Sequence, residues 1–290
     1  SRILARTDDG LSSDMDLTLL ASYPKSGNTW TRFLLSHYFY GPSTEWMDIN
    51  RVCLEMAYWL GVRREKDLTP EVWLQEMFET VSGFVRGQGH QIPPVLQDTV
   101  VLKAHQRFDA QPWMTPHVGR CVYVLRHPKD TMLSNLNYCR MAASPEHFGS
   151  EIDYAERYIE HKGDPRYFRH DYGTWHENAA SYRDQDRVPV LMLKYEDLRA
   201  DPEGELAKII RFMGEEPDSQ RLAGAVELSS FARMREMEEA ARSAGQLQEF
   251  RKGFQFMNKG GMGQKLKTLG DDLDAKFDEA FAPLAADFGY

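Results

Sequence analysis

Residues 17–30 read Leu-Thr-Leu-Leu-Ala-Ser-Tyr-Pro-Lys-Ser-Gly-Asn-Thr-Trp. The first six, Leu17–Ser22, form an apolar run with the composition of a buried strand. A proline, a glycine and small polar residues follow, and helical spacing then takes over through Trp30, Phe33, Leu34, His37 and Tyr38. A strand that turns tightly into a helix makes an anion cradle. The first N–H groups of a helix lack partners, and its dipole favours negative charge there. Gly27 permits the turn, Lys25 brings a full positive charge, and Ser26, Asn28 and Thr29 bring side-chain donors. The spacing does not fit a Walker A loop, which places its glycines and its Lys-Ser/Thr pair differently.

Working outward, Val100–Ala104, Cys121–Leu125 and Val188–Leu193 read as further buried strands. Asp201-Pro202 reads as an N-cap with proline in the first helical position, ahead of an apolar face at Leu206, Ile209, Ile210 and Met213. Leu273, Phe277, Phe281 and Leu284 make a last helical stripe. The alternation predicts an α/β fold, a parallel sheet flanked by helices on both faces, with ligands at the carboxyl ends of its strands. At 290 residues, one domain spanning 1–290 is expected. Residues about 41–98 and about 141–172 break the repeat and read as insertions that either wall a substrate site or pad the core.

A net charge of −9 argues against a nucleic-acid-binding surface, so an anionic ligand must be held by local charge. No apolar run approaches the ~18–20 residues of a membrane helix. The polar, acidic start is unlike a signal-peptide core. Cys53, Cys121 and Cys139 lack metal-type spacing. Together these predict a cytoplasmic protein without a structural metal or a membrane partner.

Three other stretches place candidate ligands beyond strand ends. Arg126 leaves the strand at Cys121–Leu125, and Ser134 lies on the following helix; a guanidinium and a hydroxyl suit a phosphate monoester. Lys103 and His105 end the strand at Val100–Ala104, and an imidazole with a pKa near ~6.5 suits a general base. Later come Tyr195-Glu-Asp-Leu198, Ser229-Ser-Phe231 and the glycine-rich Asn258-Lys259-Gly260-Gly261.

Together these stretches resemble the PAPS-dependent sulfotransferases, whose 5′-phosphosulfate loop reads Tyr-Pro-Lys-Ser-Gly-Thr-Thr-Trp; here Asn28 replaces the first Thr. The resemblance implies a P-loop-like fold in which Lys25, Ser26, Gly27, Asn28, Thr29 and Trp30 bind the donor PAPS, with Lys25 on the leaving oxygen. It implies that Arg126 and Ser134 hold the 3′-phosphate. Lys103-Ala-His105 stands where the cytosolic members carry Lys-Thr-His, which makes His105 the catalytic base. Lys103 is an assisting cation, although relatives with antibiotic acceptors lack it. Trp30 and Phe231 would sandwich the adenine, and Tyr195 would approach it. Asn258, Lys259 and Gly260 would form the 3′-phosphate loop, with Asn258 replacing the family's Arg; Arg251-Lys252-Gly253 is a second candidate for that loop.

Residues 195–206, 233–239, 258–261 and 269–272 resemble in particular the bacterial sulfotransferases that modify glycopeptide antibiotics. The implied activity is transfer of a sulfuryl group from PAPS to a hydroxyl of a small molecule or natural product, without a metal. The acceptor and the oligomeric state stay open, a homodimer included. The rival readings are an ATP-dependent kinase on a related core and a non-catalytic module that binds PAP. The first requires a Mg²⁺ site, and the second has no use for Lys25 beside His105.

Overall fold

The computed structural model describes residues 15–41, 48–142, 149–245 and 269–290. Its strands are β1 (Asp16–Ala21), β2 (Leu54–Glu55), β3 (Thr99–Ala104), β4 (Val118–Leu125) and β5 (Val190–Lys194). They form a five-stranded sheet of order β2-β3-β1-β4-β5, parallel throughout. From β1 the chain goes to the edge strand β2, returns to β3 beside β1, and then crosses to β4 and β5 on the other side. The carboxyl end of β1, between β3 and β4, is therefore the topological switch point at which open α/β sheets bind ligands.

Side chains alternate between two cores because successive residues of a strand face opposite sides. Leu17, Leu19 and Ala21 join Cys121, Tyr123 and Leu125 in one buried cluster, whereas Leu20, Val122 and Val124 belong to the other. Burial on both faces explains why the strands read as continuous apolar runs. The first cluster is covered by α2 (Met56–Lys66), α3 (Pro70–Gly87), α5 (Glu151–His161), α6 (Trp175–Arg183) and α11 (Asp271–Ala286). The second is covered by α1 (Asn28–Tyr40), α8 (Pro202–Met213), α9 (Ser219–Leu228) and α10 (Phe231–Ser243). Two shorter-range pieces complete the frame near the strand ends: α4 (Pro128–Ala142) after β4, and α7 (Tyr195–Ala200) after β5.

The last expected strand, Val188–Leu193, starts instead at Val190, because Pro189 has no N–H to give the ladder; its carbonyl still accepts from Cys121 N at 3.0 Å. The two-residue β2 carries too little periodicity to read from sequence. It lies in the first insertion, whose described part packs against the core. Trp59 and Trp73 are buried in the first cluster, and Trp73 donates its indole N–H to the Trp59 carbonyl at 2.7 Å. The second insertion contributes α5 and a 3₁₀ turn at Pro165–His170, which reaches the ligand end of the sheet. All three cysteines are buried and unpaired. Among the described residues no helix is long and apolar enough to cross a membrane.

Asp201 caps α8 as the sequence implies: its carboxylate accepts the Gly204 N–H at 3.0 Å, and Pro202 occupies the first helical position. Asp201→Ala is expected to lower stability by about 1 kcal/mol, with an unchanged m-value in urea unfolding followed by circular dichroism.

Candidate active site

A cleft of about 340 Å³ opens over the carboxyl ends of β1, β3 and β4. One side is the loop after β1, with Pro24, Lys25, Gly27, Asn28, Thr29 and Trp30 lining it. Lys25 lies in the left-handed region at φ 72°, which few non-glycine residues occupy, and Gly27 follows at φ 104°. A Cβ on Gly27 would lie 2.4 Å from Cδ2 of Tyr195, so the glycine is needed for space as well as for backbone conformation. Ser26 is buried behind the loop, and the Asn28 amide turns inward, donating to the Leu20 carbonyl at 2.9 Å. In this conformation Asn28 braces the loop against β1 while its helix presents first-turn N–H groups to the cleft.

Arg126, buried at the end of β4, donates through Nη1 to the Lys25 carbonyl at 3.0 Å and lies 4.5 Å over the Tyr195 ring. It thus fixes the strained loop residue and brings a planar cation to the cleft wall. Ser134, two helical turns along α4, lines the same wall. The Lys25 ammonium lies 4.3 Å from the Tyr138 ring centroid. Burial, with Lys103 and Arg126 adding repulsion, pulls its pKa down to about 8.

His105 follows β3 on the opposite side. Its Nδ1 lies 2.7 Å from the carbonyl oxygen of Ser22, the residue that follows β1. A carbonyl only accepts, so Nδ1 carries the proton and Nε2 keeps its lone pair. Burial, then Lys103, and then Arg32 and Lys25 hold the ring's pKa well below the usual imidazole range, while the bond to Ser22 opposes them. The ring is therefore neutral at pH 7 and available as a base.

The sheet register sets the surroundings of Lys103. It pairs with Leu20 on one side and Glu55 on the other, and its Nζ meets Glu55 Oε1 at 2.7 Å. Burial would raise the Glu55 pKa, but the Lys103 ammonium outweighs it and lowers it. Lys103 lines the cleft, but as half of an ion pair rather than as an open cation.

Trp30 and Phe231 do meet, with ring centroids 5.7 Å apart and planes tilted by 38°. A flat base stacked on both faces needs them about 7 Å apart and near parallel, so the rings as placed must open to admit a purine. The Trp30 indole is anchored by donation to the Ser229 carbonyl at 2.7 Å. Arg199, 5.4 Å from the Trp30 ring and 4.5 Å from Phe231, covers both and was not apparent in the sequence.

Also unforeseen were Tyr138, Tyr167 and Tyr172, which line the cleft: Tyr172 meets the His105 ring, Tyr167 packs on Tyr172, and Tyr138 lies against Lys25. Two of them come from the second insertion; the described part of the first insertion contributes no lining residue. No periodicity marks these tyrosines, because they stand on a helix and in two turns that only the tertiary fold brings together. Asn258, Lys259, Gly260 and the alternative Arg251-Lys252-Gly253 lie outside the described residues.

Comparison with known proteins places the chain in a family. The family model described as a sulfotransferase domain matches residues 15–289, and the chain belongs to the sulfotransferase family. Rat sulfotransferase 1C2 is 28% identical over 162 residues, which cover 55% of this chain and 52% of that protein. Rat sulfotransferase 1A1 is 25% identical over 225 residues, covering 76% of this chain and 67% of that one. The chain thus spans about half to two thirds of the length of these curated relatives. Among solved structures, retinol dehydratase in complex with androsterone and PAP superposes with a TM-score of 0.61 at 18% identity, over 93% of this chain and 81% of that one. Mouse sulfotransferase SULT7A1 complexed with PAP gives a TM-score of 0.57 at 20% identity, over 94% and 84%. These likenesses establish a shared fold.

The steric demand at Gly27 is directly testable. Gly27→Ala should destabilise the protein by more than about 1 kcal/mol in thermal unfolding. In a Tyr195→Ala background, itself destabilised, the same Gly27→Ala change should cost less, a non-additivity that a backbone effect alone would not give.

Proposed function

We propose that this chain, acting as one sulfotransferase domain over residues 1–290, transfers the sulfuryl group of PAPS to a hydroxyl of a small-molecule acceptor. The observation that carries the reading is the His105–Ser22 hydrogen bond, which leaves Nε2 unprotonated in a side chain that lines the same cleft as Lys25 and Arg126. A base and fixed cations on opposite walls of one cleft are what in-line transfer to a neutral hydroxyl requires.

The residues present fit the donor. Lys25, Arg126 and the first N–H groups of α1 gather positive charge at one place in a protein of net charge −9. Arg126 and Ser134 would hold the 3′-phosphate, with Asn258, Lys259 and Gly260 closing over it. Ser26, Gly27, Asn28, Thr29 and Trp30 would form the 5′ side, and Trp30, Phe231 and Tyr195 the adenine side. His105 Nε2 takes the acceptor's hydroxyl proton as that oxygen bonds to sulfur. The bond from sulfur to the bridging oxygen of the 5′-phosphate breaks, and Lys25 stabilises the charge left on that oxygen. Such a contact is commonly worth ~2.7–4 kcal/mol in the transition state. The products are the sulfate ester, PAP and a proton.

Tyr138, Tyr167 and Tyr172 give the acceptor side an aromatic wall, which supports a flat or aromatic hydroxyl compound such as the phenolic rings of glycopeptide antibiotics. Lys103, charged and paired with Glu55, would assist the base by keeping the His105 ring uncharged rather than by contacting the sulfonate.

PAP at about 100 times its Kd should raise the unfolding midpoint by the equivalent of ~2.7 kcal/mol, whereas ADP and Mg-ATP should not. Stabilisation by Mg-ATP but not by PAP would replace this reading with a kinase. The affinity for PAP should hold steady below about pH 8 and weaken as the pH rises through that value, because the unliganded Lys25 loses its proton there while the bound anion favours the charged form. Isothermal titration of Lys25→Met, which cannot titrate, should show no such limb. His105→Ala should bind PAP normally and lose transfer of label from [³⁵S]PAPS; equal turnover would remove His105 from the mechanism.

A further inference from the structure

One buried amide holds both walls of the acceptor side. Asn178, on α6 and fully buried, donates through Nδ2 to the His105 carbonyl at 2.8 Å and to the Tyr172 carbonyl at 2.7 Å. Its Oδ1 accepts the Tyr123 hydroxyl at 2.7 Å; the amide's orientation is fixed by the two carbonyls, which can only accept and so demand Nδ2 on their side. Tyr123 in turn accepts the Tyr23 N–H at 3.1 Å, at the start of the loop that carries Lys25. The same helix reaches the next backbone groups as well. The Trp175 indole donates to the Arg126 carbonyl at 3.1 Å, and the Tyr182 hydroxyl to the Gln106 carbonyl at 2.8 Å.

From this geometry we infer that Asn178 is a positioning residue for the transfer reaction: it fixes the His105 backbone and the Tyr172 wall relative to each other, so that an acceptor hydroxyl resting on Tyr172 meets Nε2. The inference rests on His105 being the base. Its physical content is preorganisation. The His105 and Tyr172 rings lie 5.7 Å apart, and they belong to loops far separated in sequence that meet at this side chain. An amide is suited to the place. It supplies two donors to two carbonyls and an acceptor to a phenol, with no charge to desolvate. Displacing the His105 backbone opens the ring to water, which raises its pKa; weakening its bond to the Ser22 carbonyl works the other way, but burial is the larger of the two causes. The charged groups that act on the ring, Lys103, Arg32 and Lys25, stay where they are.

The test compares Asn178→Leu, which removes every polar contact at similar volume, with Asn178→Ser, whose hydroxyl can still donate to one carbonyl. His105→Ala serves as the reference. Three quantities are read: stabilisation by PAP, turnover of 4-nitrophenol with [³⁵S]PAPS, and the His105 titration followed by NMR of its ring proton. The inference expects the PAP shift to be retained, kcat to fall by about 10- to 100-fold in the Leu variant and by less in the Ser variant, and the His105 titration to move up toward the ordinary imidazole range. A titration unmoved in both variants overturns it, whether turnover is kept or falls in step with PAP binding; the second case makes Asn178 a structural residue only. If 4-nitrophenol is not turned over, the NMR titration decides alone. Turnover by His105→Ala equal to that of the parent protein would overturn the base and the positioning role together, whereas an inactive His105→Ala beside an unmoved titration overturns the positioning role alone.

Discussion

The parallel pairing of β1 with β3 on one side and β4 on the other governs the arrangement of the cleft. Parallel neighbours end at the same edge of a sheet, so three chain segments of unrelated sequence emerge side by side. Ser22 and His105 leave adjacent strands and bond at 2.7 Å, while Arg126 leaves the strand on the far side and holds the Lys25 carbonyl. An antiparallel pairing of the same strands would send His105 or Arg126 to the opposite edge. His105, the loop and the Arg126 guanidinium are near one another because of strand direction, before any side chain is chosen.

Charge at this edge is managed locally. The protein is acidic overall, yet burial and neighbouring cations hold Lys25, Lys103 and His105 below their ordinary pKa values: Lys103 and Arg126 act on Lys25, Arg32 on Lys103, and Lys103, Arg32 and Lys25 on His105. Burial is the largest contribution in each shifted cation, and like-charge repulsion adds to it. Glu55 relieves part of that repulsion at Lys103. Burial and mutual repulsion thus hold these groups away from their charged forms, a state that a bound polyanion would relieve.

The sequence displayed much of this, and the limits of what it displayed have physical causes. The loop after β1 was legible because an apolar run, a glycine and a lysine occur within a few contiguous residues. His105 and Arg126 were legible because each directly follows a buried strand. Strand ends were less certain: Pro189 looked strand-like by neighbourhood but cannot donate to a ladder. What stayed hidden depends on contacts distant in sequence. Glu55 meets Lys103 only through the register of β2, a strand two residues long. Tyr138, Tyr167 and Tyr172 converge from a helix and two turns, and Asn178 looks like an ordinary polar residue in a short helix until its three partners are seen. The closeness of Trp30 to Phe231 was expected, but their tilt, which closes the slot between them, follows from how α1 and α10 dock and has no local signature.

The brevity of β2 has a consequence outside the cleft. It is the first strand in the sheet order, and an outer strand offers its unsatisfied backbone groups to any other extended chain. Two residues, one of them a half-exposed glutamate, make a poor template for such pairing. Lengthening this strand with β-branched residues would invite self-association of the folded protein while leaving the ligand end of the sheet as it is. The glutamate that pairs with a lysine inside the cleft thus also puts a charge on the outermost strand of the sheet.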